Sequence, residues 1–308
     1  MGWKAAAGTH VGLSHIRNDV PCQDSVSYKI EGDTIYCAVS DGAGSASRAE
    51  EGSYHAVEAA LKALMEEDWA DRVPDECEVQ PTFSHVFRKV VEKLQEVAKK
   101  EQCNFHDLSC TLLLYVVTPT YLAAAQIGDG FIVVRRLDHA IYGLVFVPDH
   151  GDFINTTTFV TCEDALDSMQ VRVIDSPCDF VCASTDGLEL AVIQYGSWEL
   201  HVPFFRSLDN WAKTLDNSPP EETRDAIRSL LGRDGLHNAN HHDDKGLLVC
   251  VLDRETLDNV TAPNSRPFAD SQEVSKKYSA GLKHSNTRSS QDSTTKHRPS
   301  KGRDGIPT

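Results

Sequence analysis

Seven short apolar runs constrain this chain more than anything else in it: Thr34 to Ser40, Thr111 to Val117, Tyr121 to Ile127, Phe131 to Leu137, Gly143 to Val147, Phe180 to Thr185 and Gly246 to Leu252. They are rich in β-branched residues and too short for core helices, which marks them as strands. Several are apolar at nearly every position rather than alternately, and a strand of that kind belongs to a sheet covered on both faces. With 40% hydrophobic residues the chain can fill the layers this requires.

The covering layers are legible as amphipathic helices. Ala49, Ala56, Val57, Ala60, Leu61, Leu64 and Met65 recur at three- and four-residue steps, as do Phe83, Val86, Phe87, Val90, Val91, Leu94 and Val97. A third face is formed by Phe204, Phe205, Leu208, Trp211, Ala212 and Leu215. A fourth helix starts at Ser218-Pro219-Pro220-Glu221, a capping box with proline at the first helical position. Helices in pairs beside runs of antiparallel-looking strands give an α+β class rather than regular βαβ alternation. The ordered part is expected to be one domain over residues 1–257, followed at 258–308 by a basic, Ser/Thr-rich segment with almost no periodic apolar residues, expected to be a disordered tail.

Charge and cysteine usage exclude several function classes. The formal net charge is -16, and because residues from Asn259 onward carry +5, the body carries -21, which argues against nucleic acid as a partner. No stretch approaches the roughly 20 apolar residues of a membrane span, and Met1-Gly2-Trp3-Lys4-Ala5 opens no signal-peptide segment, so the expectation is a cytoplasmic protein with no membrane partner. Nine scattered cysteines without a CxxC pair form no disulfide scaffold or zinc knuckle, and Cys37, Cys110, Cys182 and Cys250, inside apolar runs, read as small buried thiols.

Chemistry is suggested by where the aspartates fall, at the ends of the expected strands. Asp24 follows Gln23 in the polar stretch GLSHIRNDVPCQDS. Asp41-Gly42 ends a buried strand and opens a helix, and glycine there lets backbone approach a ligand closely. Asp129 sits in Gly-Asp-Gly between two strands, which by itself is good hairpin chemistry. Asp186-Gly187 again follows a buried strand, and Asp243-Asp244 immediately precedes the last one. Taken singly, each has an ordinary reading as a loop or turn acid. Convergence of all five would demand cations, since like charges a few ångströms apart raise each other's pKa, and an all-oxygen donor set points to Mg²⁺ or Mn²⁺.

In this order the motifs resemble the metal-dependent Ser/Thr protein phosphatases of type 2C, in their compact bacterial form, over about Gly8 to Leu252. The resemblance implies a four-layer αββα sandwich with two central, mainly antiparallel sheets. It also implies a phosphoprotein phosphatase that hydrolyses phosphoserine and phosphothreonine by direct attack of a metal-bridging hydroxide. Cofactors implied are two Mn²⁺ or Mg²⁺ ions, with a third site available. By position, Asp41 is implied to bridge both metals, Gly42 to offer its carbonyl, Asp24 to serve one metal, Asp186 and Asp243 the other, and Asp129 with Asp186 the third. Arg17 or His15 is implied to meet the substrate phosphate. The implied partners are phosphorylated proteins, and with them a Ser/Thr kinase or its targets. Three departures stand out: Gln23 replaces an acid, Ala43 replaces the histidine proposed as general acid in eukaryotic members, and Asp243-Asp244-Lys245-Gly246 replaces Asp-Asn-x-Thr.

Two rivals were weighed on the same residues. A dinucleotide site at Gly42-Ala43-Gly44-Ser45-Ala46-Ser47 fails because Ser47 takes the last small position and Asp41 would face the pyrophosphate. A non-catalytic phosphoprotein-binding module would not need to retain Asp24, Asp41, Asp186 and Asp243. His237, His241 and His242 read as solvated loop residues rather than as zinc or iron ligands.

Overall fold

In the computed structural model the described residues are 2–69, 72–139, 141–146, 157–194, 197–215, 220–233 and 242–252. The expected tail, His237, His241 and the cap Ser218-Pro219 lie outside them, as do residues 147–156.

The chain opens with β1 (Trp3–His10), a short α1 (Leu13–Asn18), β2 (Ser25–Glu31) and β3 (Thr34–Ser40), then two long helices, α2 (Ala49–Glu66) and α3 (Glu76–Glu101). Strands β4 (Leu112–Val117), β5 (Leu122–Ile127), β6 (Phe131–Arg136) and β7 (Tyr142–Leu144) follow, then β8 (Gln170–Ile174) and β9 (Cys178–Ser184). The last third holds α4 (Glu189–Val192), the ribbon β10 (Ile193–Gln194) and β11 (Glu199–Leu200), α5 (Val202–Ala212), α6 (Pro220–Leu231) and β12 (Lys245–Leu252).

Two five-stranded sheets result, ordered β1-β12-β9-β6-β7 and β2-β3-β4-β5-β8, with every pairing antiparallel. Helices α2 and α3 cover the second sheet: Val57, Leu61, Phe83, Phe87 and Leu94 pack with Tyr36, Ala38, Leu114 and Val116. Helices α5 and α6 cover the first, where Phe205, Leu208, Ile227 and Leu231 pack with Phe180, Leu247 and Val249. Residues of opposite parity on the strands point between the sheets. There the Cys37 and Cys250 sulfurs lie 3.8 Å apart, and Tyr115 Oη is 3.8 Å from Cys250 Sγ. All nine cysteines are unpaired, as expected from the sequence. Asp75 and Glu78 form a capping box at the start of α3, satisfying two of its orphan donors.

Differences from the sequence reading have local causes. Strand β1 carries the run Trp-Lys-Ala-Ala-Ala-Gly-Thr-His, with Thr9 its one β-branched residue; its small residues serve α6, since a Cβ at Gly8 would come 2.9 Å from the Arg224 carbonyl oxygen. Strand β8 is an edge strand whose residues are mostly half-buried, too short and polar to register as an apolar run. Met65, placed on the apolar face of α2 by periodicity, is 37% exposed near the helix end. Asp209, a charged residue among the apolar positions of α5, is buried where Arg135 Nη1 meets its Oδ2 at 2.5 Å and Tyr142 donates to it at 3.1 Å. No described helix is long and apolar enough to cross a membrane.

Candidate active site

The registers bring the acids together. Ser25 at the start of β2 pairs with Ser40 at the end of β3, which sets Asp24 beside Asp41. Leu247 pairs with Ser184 and Phe131 pairs with Ser184, so the start of β12, the end of β9 and the start of β6 share one end of the other sheet. Asp243, Asp186 and Asp129 stand there. A cleft of about 230 Å³ is lined by His15, Gln23, Asp41, Gly42, Asp129, Asp186, Asp243 and Asp244, with Ala43, Thr111 and Thr157 among the rest of its wall. A larger cleft of about 500 Å³ between α3 and residues 160–166 holds none of these acids.

Two glycines make the approach possible. A Cβ at Gly42 would sit 2.7 Å from the Ala49 carbonyl oxygen, so the turn after β3 could not lie against α2 with any side chain there. A Cβ at Gly187 would collide with the Asp244 carbonyl oxygen, so the segment after Asp186 passes directly under the start of β12 only because residue 187 is glycine. Backbone bonds then lock the acid turns: Asp41 N–H donates to Thr111 Oγ1 at 3.0 Å, Thr111 N–H to the Asp41 carbonyl at 2.8 Å, and Gly42 N–H to the Gln23 carbonyl at 3.1 Å.

The electrostatics are those of acids forced together without water. Asp24 and Asp129 are buried. Burial, opposed by a bond from Thr185 Oγ1 at 2.8 Å and reinforced by the Asp244 charge, holds the Asp24 carboxyl well above the usual range. Burial and the charges of Asp24, Asp186 and Asp243 do the same to Asp41. Asp186 is pushed up to about 7, by burial first and then by Asp129 and Asp243. Asp243 is raised by burial as well. The Asp41 carboxyl lies near enough to those of Asp24 and Asp186 for each charge to perturb the others, while Asp186 Oδ1 is buried with no hydrogen-bond partner among the described residues. Among the described residues no three acidic, histidine or cysteine groups already close on one point. The donor set nonetheless fits a hard divalent cation: oxygens only, one of them orphaned, and carboxyls whose protons a cation would displace.

Each expected residue therefore has a place. Asp24, Asp41, Gly42, Asp129, Asp186 and Asp243 come to one end of the two sheets, Asp129 held by Thr157 Oγ1 at 2.6 Å. His15 lines the cleft, whereas Arg17, on the same helix, is exposed and outside its wall. In the sequence Asp244 counts with Asp243 among the five acids, but no separate role falls to it, to Thr185 or to Lys245. Asp244 is 2% exposed and accepts from Gly12 N–H at 2.7 Å, Gln23 N–H at 2.6 Å and His15 Nδ1 at 2.9 Å, tying β12 to the segments before β2. Thr185 also accepts from Gly246 N–H at 2.8 Å. Lys245 is fully buried and donates from Nζ to the Asp243 carbonyl at 2.9 Å; burial lowers its pKa while Asp243, Asp24 and Asp244 pull it back up. The doubled acid and the hydroxyl before Asp186 were visible signals. The lysine was not, because one polar residue leading into an apolar strand ordinarily faces water.

The family described as protein phosphatase 2C matches residues 11–231 of this chain. Serine/threonine-protein phosphatase 3 of Escherichia coli K12 is 27% identical over 256 residues, covering 82% of this chain and 99% of that protein. Among solved structures, the serine/threonine phosphatase of S. agalactiae superposes with a TM-score of 0.56 at 11% identity, covering 82% of this chain and all of that one. Stp1 from Staphylococcus aureus gives 0.54 at 12% identity, covering 82% and 96%. At such identities these structures speak for the fold.

Proposed function

The chain belongs to the protein phosphatase 2C family, and we propose that it hydrolyses phosphoserine and phosphothreonine esters of proteins with two divalent cations, Mn²⁺ or Mg²⁺, held by its acid cluster. One observation supports this reading above the others: acids from five separate chain segments meet at one end of two sheets, at a standing electrostatic cost that bound cations would offset. In this reading Asp41 would serve both ions and the Gly42 carbonyl would be a further ligand, with Asp24 serving one ion, Asp186 and Asp243 the other, and Asp129 with Asp186 a third. Bound ions would lower the pKa of a water and neutralise the phosphoryl oxygens for in-line attack.

The remaining roles fall to the chain's own groups. Thr185 fixes the Asp24 carboxyl, Thr111 fixes the turn of Asp41, and Lys245 anchors the backbone of Asp243. Phosphate contact falls to Arg17 or His15, of which His15 lines the cleft with Nδ1 on Asp244 and Arg17 is exposed beside it on the same helix. The substrates are products of a Ser/Thr kinase. A cytoplasmic location suits both that chemistry and the unpaired cysteines. The domain is taken as residues 1–257, with 258–308 as a tail.

The test is phosphate release from a phosphothreonine peptide by the purified full chain. Turnover with Mn²⁺ that stops in EDTA is the expected result. Folded protein that releases no phosphate with either Mn²⁺ or Mg²⁺ would overturn the reading in favour of a non-catalytic module.

A further inference from the structure

The alkoxide that leaves a phosphoserine or phosphothreonine is strongly basic and needs a proton as its bond to phosphorus breaks. Ala43 in the cleft wall has none to give. Among the described residues lining the cleft, His15 alone carries an imidazole, and it lies outside the acid cluster.

Its setting is that of an aimed imidazole. Nδ1 lies 2.9 Å from Asp244 Oδ2, and Asp244 is itself fixed by the Gly12 and Gln23 amides at 2.7 and 2.6 Å. The His15 side chain is 19% exposed against 2% for Asp244 and lines the cleft, so the buried carboxylate holds the ring by Nδ1 while part of the imidazole stays open. A carboxylate on one nitrogen fixes the tautomer and orientation of the ring and leaves the other nitrogen to exchange its proton with a ligand.

We propose that His15, oriented by Asp244, is the proton donor to the leaving oxygen, an inference that rests on the phosphoester hydrolase reading. The water oxygen bonds to phosphorus, and the P–O ester bond breaks with its electron pair going to the seryl or threonyl oxygen. That oxygen takes the Nε2 proton of His15, and a proton from the attacking water, passed through phosphate or solvent, restores the ring. His15 is thus a catalytic residue and Asp244 a positioning residue. The second acid of Asp243-Asp244 has a purpose in this scheme: an asparagine there would put an amide where two backbone N–H groups and a ring N–H all require acceptors.

The experiment compares two esters. His15→Asn keeps a donor to Asp244 but removes Nε2. With Mn²⁺ it is expected to lower kcat on a phosphothreonine peptide by about 10²-fold or more, while kcat on p-nitrophenyl phosphate, whose leaving group departs without a proton, changes by no more than about threefold. Mn²⁺ affinity, measured by calorimetry, should be unchanged. Asp244→Asn should show the same dependence on the leaving group to a smaller degree. Equal losses on both esters, no loss on either, or weakened Mn²⁺ binding in His15→Asn would overturn the proposal. Wild-type protein inactive on both esters would instead remove the hydrolase reading beneath it, so the two failures are distinct.

Discussion

Replacing Asp186 by asparagine is expected to stabilise the metal-free protein while destroying the centre it serves. In the folded chain the carboxyl is held at about 7, against 3.8 for an ordinary aspartate. Between those values the folded chain keeps a proton that the unfolded chain has released, so stability falls as pH rises through the window. At about 1.4 kcal/mol per pH unit the full penalty at pH 8 is at most ~4 kcal/mol. Asparagine is nearly isosteric and escapes it. Urea unfolding in EDTA should therefore show Asp186→Asn more stable than wild type by a few kcal/mol at pH 8 and close to it at pH 4.5. Mn²⁺ at about 1,000 times its Kd should cancel the difference or reverse the order, because a ligand at that excess adds about 4.1 kcal/mol to a protein able to bind it. A variant less stable than wild type in EDTA at pH 8, or a difference that does not change with pH, would refute the reasoning.

Other outcomes follow from single contacts. Gly187→Ala places a methyl group against the Asp244 carbonyl and is expected to cost about 1–3 kcal/mol and to weaken Mn²⁺ binding, both measurable by calorimetry. Arg17→Ala should raise KM for a phosphopeptide about tenfold with kcat nearly unchanged, the signature of lost uniform binding in steady-state kinetics. Phe83→Ala, at a fully buried position of α3, should lower stability by about 3–5 kcal/mol in urea without altering Mn²⁺ affinity.

Much of the fold was legible because its strands are buried on both faces. Continuous apolar runs such as Thr111 to Val117 can be satisfied in few ways, and the structure places Leu112–Val117 in the middle of a covered sheet. Trp3–His10 was illegible because its demand is for small volume beneath α6, and small residues carry little strand propensity. At the site, position after a strand singled out the acids, but nothing in the one-dimensional pattern says which strands end together. That information lies in the register, as in the pairing of Ser25 with Ser40. Asp244 shows the limit most clearly: the sequence offers a second acid beside Asp243, and only the meeting of β12 with the Gly12 and Gln23 segments makes it the carboxylate that orients His15.

That the buried acids exist to hold divalent ions is tested most directly by titrating metal-free protein with Mn²⁺ at pH 7 in two buffers of different ionisation enthalpy. Two ions should bind per chain with net release of protons from the clustered carboxyls, and Asp41→Asn should lose at least one of them. Absence of binding below millimolar concentration, or binding that releases no protons and survives in Asp41→Asn, would contradict it.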